Sequence, residues 1–145
     1  MRAPKVKKYN LNELMSFLTG DLNKNINELI IWCKELKMTP QGHKGLYDNI
    51  MRVSYKSRTV LTFNIHENGS VYLELTMTQP QDTDKIFAQQ SQDIQDFFFS
   101  HLKGSSHIGE NGHKLEFNNP TNEQIQYIKI LIEIRRKYIA LLINS

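Results

Sequence analysis

Cysteine is nearly missing from this chain. Cys33 is the single thiol among 145 residues, so no intrachain disulfide can form, and a reducing cytoplasm is the expected compartment. On the apolar stripe of a helix, a lone thiol reads as core filler rather than a nucleophile. Long hydrophobic runs are also missing. No stretch approaches the roughly 20 apolar residues that span a bilayer, and no membrane partner is expected. The start, MRAPKVKKYNLNELM, has no long apolar run and no small-residue cleavage site, which argues against a secretory leader.

The signatures of several enzyme classes are missing as well. There is no Walker-type phosphate loop, no dinucleotide fingerprint and no H-E-x-x-H helix. No G-x-S-x-G elbow appears. No cofactor is expected. The remaining acid–base candidates are His43, Lys44, Tyr47 and Asp48 in QGHKGLYDN. Gly42 and Gly45 suit that segment to a simple connection into a sheet, and an enzyme built on His43 and Asp48 ranks last among the functional expectations.

What remains is enough for a core. A chain of this length buries roughly 70% of its unfolded surface without cross-links. The sequence predicts a basic flexible tail over residues 1–9 and a single α+β domain over 10–145. The formal net charge is +3. Residues 1–72 hold 11 Lys and Arg against 6 Asp and Glu, whereas residues 73–145 hold 7 against 9. The excess lies mainly in RAPKVKK, which reads first as a solvated tail and second as a contact for an acidic partner or nucleic acid.

Periodicity supplies the elements. NLNELMSFLTG reads as a helix with Asn10 as N-cap, Glu13 at the capping-box position and Gly20 as its stop. DLNKNINELIIWCKELKM reads as a second helix, ended by Thr39-Pro40, with the stripe Ile26, Leu29, Ile30, Cys33 and Leu36. Trp32 lies off that stripe, free to meet another element. The period then changes to two. Met51, Val53 and Tyr55, then Leu61, Phe63 and Ile65, then Val71, Leu73, Leu75 and Met77 are all odd-numbered. A three-residue loop at Glu67-Asn68-Gly69, with Gly69 in the left-handed region, pairs Ile65 with Val71, Phe63 with Leu73 and Leu61 with Leu75. A three-residue loop at Lys56-Ser57-Arg58 aligns Val53 with Leu61. The result is a three-stranded antiparallel meander with one oily face. Its other face carries Arg52, Ser54, Thr62, Asn64, Tyr72, Glu74 and Thr76, as either a solvated or a binding surface.

DTDKIFAQQSQDIQDFFFSHLKG reads as a helix over 82–103, with Phe99 off its buried side. NNPTNEQIQYIKILIEIRRKYIALLINS reads as a long final helix capped by Thr121. Its broad apolar surface suits a helix that covers the sheet, with a homodimer contact as a further expectation. Between the two lies HLKGSSHIGENGHKLEF, with His101, His107 and His113 six residues apart. A metal site needs three or four convergent ligands, but Asn111-Gly112 is a strong two-residue turn signal. A short hairpin on that turn sets Ile108 opposite Leu115 and His107 opposite Glu116, with His107 and His113 on opposite faces. No metal is expected, and His101 suits the negative end of a helix dipole.

The order helix, meander, helix, hairpin, helix resembles small bacterial α+β proteins of the YdhG and YjbR type. It is also similar to an uncharacterised bacterial family in which a Gly-rich loop leads to a hairpin and then to F-x-N-P. Here those stretches read GHKGLYDN and FNNPTNEQIQYIKILIEIRRKYI, Phe117 to Ile139. Relatives of that kind carry cysteines before the last helix. This chain has none there, so the resemblance carries over no cysteine metal or redox site, and it implies a fold rather than a reaction.

The leading functional expectation is a non-enzymatic module that binds another protein or a small ligand, with Trp32, His43, Tyr47, Arg52, Asn64, Tyr72 and Glu74 as candidate contacts. Nucleic-acid association through Lys5, Lys7, Lys8, Arg52, Lys56 and Arg58 is a second. An inhibitor or regulator in microbial defence or counter-defence is a third.

Overall fold

The structure is a computed structural model that describes residues 9–42, 49–77, 88–103 and 114–144. It is an α+β fold: four helices among the described residues and a five-stranded antiparallel sheet in the order β1-β2-β3-β4-β5. The elements are α1 (Leu11–Ser16), α2 (Gly20–Glu35), β1 (Thr39–Gly42), β2 (Ile50–Tyr55), β3 (Arg58–Ile65), β4 (Val71–Thr76), α3 (Gln92–Ser100), β5 (Lys114–Asn118) and α4 (Asn122–Asn144).

The three central strands follow the odd–even pattern. Ile65 pairs with Val71, Phe63 with Leu73 and Leu61 with Leu75. The β3–β4 loop is the expected one: the Gly69 N–H donates to the His66 carbonyl at 2.9 Å, and Gly69 has φ +88°. A Cβ at Gly69 would also sit 2.9 Å from the Phe17 carbonyl oxygen, so glycine is required both by the backbone angle and by the approach of the α1–α2 connection. Val53 aligns with Leu61 as expected, but by another device. The turn has two residues, Lys56 (φ 52°) and Ser57 (φ 66°), with Tyr55 opposite Arg58. Both left-handed angles belong to a turn that matches strand twist. A bulge then passes over Val60 to restore the odd register.

Two strands exceed the expected meander. Thr39-Pro40 does not stop the helix before it: α2 ends at Glu35 with Leu36 as its cap and Lys37 at φ 68°, and Thr39 and Pro40 start β1, with Pro40 opposite Val53. An edge strand tolerates a proline because one of its backbone sides has no neighbour to bond. At the other edge, β5 sets Leu115 beside Leu75 and Phe117 beside Leu73. Its outer side meets His101 to Lys103, with a bridge from Leu102 to Leu115. That outer edge is bonded through the neighbours of Leu115: the Lys103 N–H donates to the Lys114 carbonyl and the Glu116 N–H to the His101 carbonyl. His107, Ile108, Asn111-Gly112 and His113, and with them the first arm of the expected hairpin, lie outside the described residues.

The helices differ from expectation mainly at their ends. Asn10 and Glu13 form the capping box, with the Glu13 N–H 2.8 Å from Asn10 Oδ1. α1 ends at Ser16, and Gly20 opens α2 instead of stopping α1. α3 starts at Gln92, not at 82, because Ser91 takes an extended backbone and its hydroxyl accepts from the Ile94 N–H; residues 82–87 lie outside the described residues. Thr121 caps α4 reciprocally with Gln124.

The core is one cluster. It joins the odd-numbered side chains of β2 to β5 to Leu14, Ile26, Leu29 and Cys33, and to Ile128, Leu131, Ile132 and Ile139 of α4. The Cys33 thiol is fully buried, and that burial, partly opposed by the nearby Lys129 charge, pushes its pKa up to about 12. Phe99 is exposed, with its ring edge-on to Phe98. No helix among the described residues is long and apolar enough to cross a membrane.

Candidate functional site

The strand register brings polar residues into rows across the face opposite the core. One row runs Gln41, Arg52, Thr62, Glu74 and Glu116 through all five strands. The next runs Ile50, Asn64, Tyr72 and Asn118. Arg52, Asn64, Tyr72 and Glu74 thus share one face, as the alternation implies. Trp32 does not join them. It packs in the helical layer on the core side, where Lys129 of α4 lies over its ring at 5.7 Å. His43 and Tyr47 lie outside the described residues, as do Lys5, Lys7 and Lys8. Of the described basic candidates, Arg52 stands in mid-strand, Lys56 in the β2–β3 turn and Arg58 at the start of β3.

Glu74 is the centre of the polar face. Its residue is only 9% exposed, unlike the solvated position that alternation alone suggests. Lys103 Nζ donates to Glu74 Oε2 at 2.7 Å, and Lys114 Nζ stands 3.4 Å from Oε1. The two lysines reach it because the segment after α3 runs along β5: the Lys103 N–H donates to the Lys114 carbonyl at 2.8 Å. Tyr72 completes the group. Its hydroxyl donates to Glu116 Oε2 at 2.8 Å, with Glu74 Oε2 at 3.4 Å, and Lys103 Nζ lies 5.6 Å from its ring centre. Glu74 and Glu116 are direct cross-strand neighbours. Two carboxylates so placed repel; the phenol and the two ammonium groups relieve that repulsion.

These contacts fix protonation. Burial, the largest influence on Glu74, works to raise its pKa, but the bond and charge of Lys103 and then Lys114 outweigh it, and the net shift is downward. The Lys103 ammonium is held above its usual value by its bond to Glu74. The Tyr72 phenol is pushed up to about 12 by burial and then by the acceptor Glu116. At neutral pH the cluster is a carboxylate, an ammonium and a neutral phenol, none near its titration point. Beside it, the side-chain oxygen of Asn64 is buried and accepts no hydrogen bond among the described residues. Such an atom forfeits the hydration it had in the unfolded chain.

Glu116, Lys103 and Lys114 are the members that periodicity does not reveal. Glu116 appears in the sequence only as the partner expected for His107, and neither lysine stands out from an ordinary charged surface. No group of three or more His, Cys, Asp or Glu side chains converges as a metal site among the described residues. His101 caps α3: a carbonyl can only accept, so its Nδ1 donates to the Phe97 carbonyl, at 2.8 Å. The ring also stacks on Phe117 at 4.8 Å.

A second concavity lies at the far end of α2. About 450 Å³ is enclosed by Asp21, Lys24, Asn25 and Glu28 with Asn119 to Asn122. Its floor is rigid: Asn119, at φ 46°, bonds Val71 through both its backbone N–H and its side-chain oxygen. None of the described candidate residues lines it. No family model, no curated protein and no solved structure matches this chain.

Proposed function

We propose that this protein is a non-enzymatic binding module, and that the polar face of its sheet recognises a zwitterionic or peptide-like ligand. The observation that carries this reading is the pairing of a fixed charge pattern with an unsatisfied acceptor. Glu74, Lys103 and Tyr72 hold one another in place, while the Asn64 side-chain oxygen beside them has no donor among the described residues. A ligand N–H would satisfy Asn64. A ligand carboxylate would meet Arg52, exposed on the neighbouring strand, and a ligand ammonium would meet Glu116.

Catalytic acids and bases work best with pKa values near the operating pH. Here burial and Glu116 move Tyr72, and the charged partners move Glu74 and Lys103 against their burial, away from neutrality, which favours recognition over proton transfer. A reducing cytoplasm suits a chain whose only thiol is buried and unpaired.

The test is a thermal-shift screen of amino acids, dipeptides and short peptides against the wild type and Asn64→Val. A ligand that raises the wild-type midpoint and leaves the variant unmoved supports the reading. If no member of those classes shifts the wild type, or if Asn64→Val responds equally, the reading fails.

A further inference from the structure

α4 buries an arginine that has no counter-ion. Arg135 is 9% exposed, and among the described residues no carboxylate lies within ion-pair distance of it. One Nη donates to the Thr59 carbonyl at 3.3 Å, and its buried Nε has no partner among the described residues. After burial itself, the nearby Arg58 charge depresses the guanidinium pKa further, with Tyr138 partly opposing it. Arg136 follows on the same helix, with its guanidinium 5.3 Å from the Tyr55 ring centre and its Nε also unpartnered. Glu133, on the same helix, stands 3.9 Å away. Lys56 Nζ lies 5.8 Å from the same Tyr55 ring.

We propose that Lys56, Arg58, Arg135 and Arg136 form an anion site for a phosphate group at the β2–β3 end of the sheet. The site is built rather than incidental. The turn at Lys56-Ser57, with both residues at positive φ, carries Lys56 itself and is followed directly by Arg58, and the bulge at Val60 follows the carbonyl that Arg135 grips. Like-charged groups held together in this way favour an acceptor that several of them can share. A phosphate offers several strong acceptor oxygens arranged tetrahedrally, whereas a carboxylate matches a single guanidinium fork. Tyr55 is buried and already flanked by Arg136 and Lys56. Its ring is closed to a stacking base, so the phosphate is the group being read. This site does not depend on the polar-face reading, which lies on the other side of the sheet.

The source of the phosphate separates in solution. Sodium pyrophosphate and a short single-stranded oligonucleotide are each titrated at matched ionic strength, against sodium chloride alone. The proteins are the wild type, the double variant Arg58→Gln/Arg136→Gln, and Lys24→Gln as a control from the opposite end of the sheet, where Lys24 lines the α2 cleft. Pyrophosphate is expected to raise the wild-type and Lys24→Gln midpoints above the chloride value, and the double variant to bind at least about tenfold more weakly. Tighter binding of the oligonucleotide with a steep salt slope assigns the site to a phosphodiester chain; tighter binding of pyrophosphate assigns it to a small phosphate compound. An Arg135→Met variant gives an independent readout: it is expected to melt no lower than wild type in chloride and to lose the pyrophosphate response. No shift beyond chloride with either ligand, or an undiminished response in the double variant, overturns the proposal.

Discussion

The two faces of the sheet obey the same alternation but different physics. On the odd face Leu61, Phe63, Ile65, Leu73, Leu75 and Leu115 are fully buried under α2 and α4; each contributes by leaving water, whatever its exact neighbour. On the even face burial is uneven. Arg52 is exposed and Thr62 half-buried, yet Glu74 and Thr76 are as inaccessible as core residues. A buried carboxylate persists only because named partners reach it at fixed distances. The odd face is therefore tolerant of detail and the even face is not.

The largest effect that sharpens this contrast is expected on the odd face. Leu73→Ala should lose about 2–5 kcal/mol in urea unfolding, by lost transfer energy plus a residual cavity. A loss under about 1 kcal/mol would mean that the helices pack loosely over β4.

Glu74→Gln comes next, at about 1–3 kcal/mol near neutral pH, since it removes charge-assisted bonds from both lysines. This loss has a pH signature. The folded-state pKa of Glu74 lies below its ordinary 4.5, so its contribution is complete above that value and disappears as pH falls through the lower, folded one. Unfolding curves of wild type and Glu74→Gln should therefore separate at pH 7 and converge in acid. A gap of equal size at both pH values would break the assignment.

Tyr72→Phe should cost about 1 kcal/mol through the lost bond to Glu116. It also has a spectroscopic mark. One of the six tyrosines should ionise late, at about 12, and that step should vanish in the variant's ultraviolet titration. Because the folded pKa is raised, the stability Tyr72 adds is complete below pH 10 and fades as pH rises toward 12. The smallest effect belongs to Thr62→Ala on the same face, within about 0.5 kcal/mol; a cost near that of Glu74→Gln would make the whole row, not the Glu74 cluster, the structural unit.

Local chemistry explains what was legible in advance. The Asn10–Glu13 capping box, the Gly69 loop, the pairs Ile65–Val71 and Phe63–Leu73 and the Thr121 cap each depend on residues a few positions apart or on a period of two. The Val53–Leu61 register was legible too, although a two-residue turn and a bulge produce it. The helix expected over 82–103 is not continuous: residues 88–91 are not helical and a helix starts at Gln92, because Ser91 provides a cap that the apolar spacing does not reveal. In the candidate site, Arg52, Asn64, Tyr72 and Glu74 were legible as one face. Lys103 and Lys114 were not, for nothing in their neighbours along the chain marks them.

The sequence by itself determined which side chains share a face and where the chain turns between β3 and β4, because side-chain alternation and positive-φ turns are local constraints. Only the tertiary structure decided that Pro40 lies on an edge strand, that β5 closes against β4, and that Lys103 crosses 29 positions of sequence to reach Glu74. It likewise set Arg135 behind Thr59, 76 positions away. Those pairings follow from which edge is still open when the chain returns and which charge is there to be met, and no window of neighbouring residues holds that information.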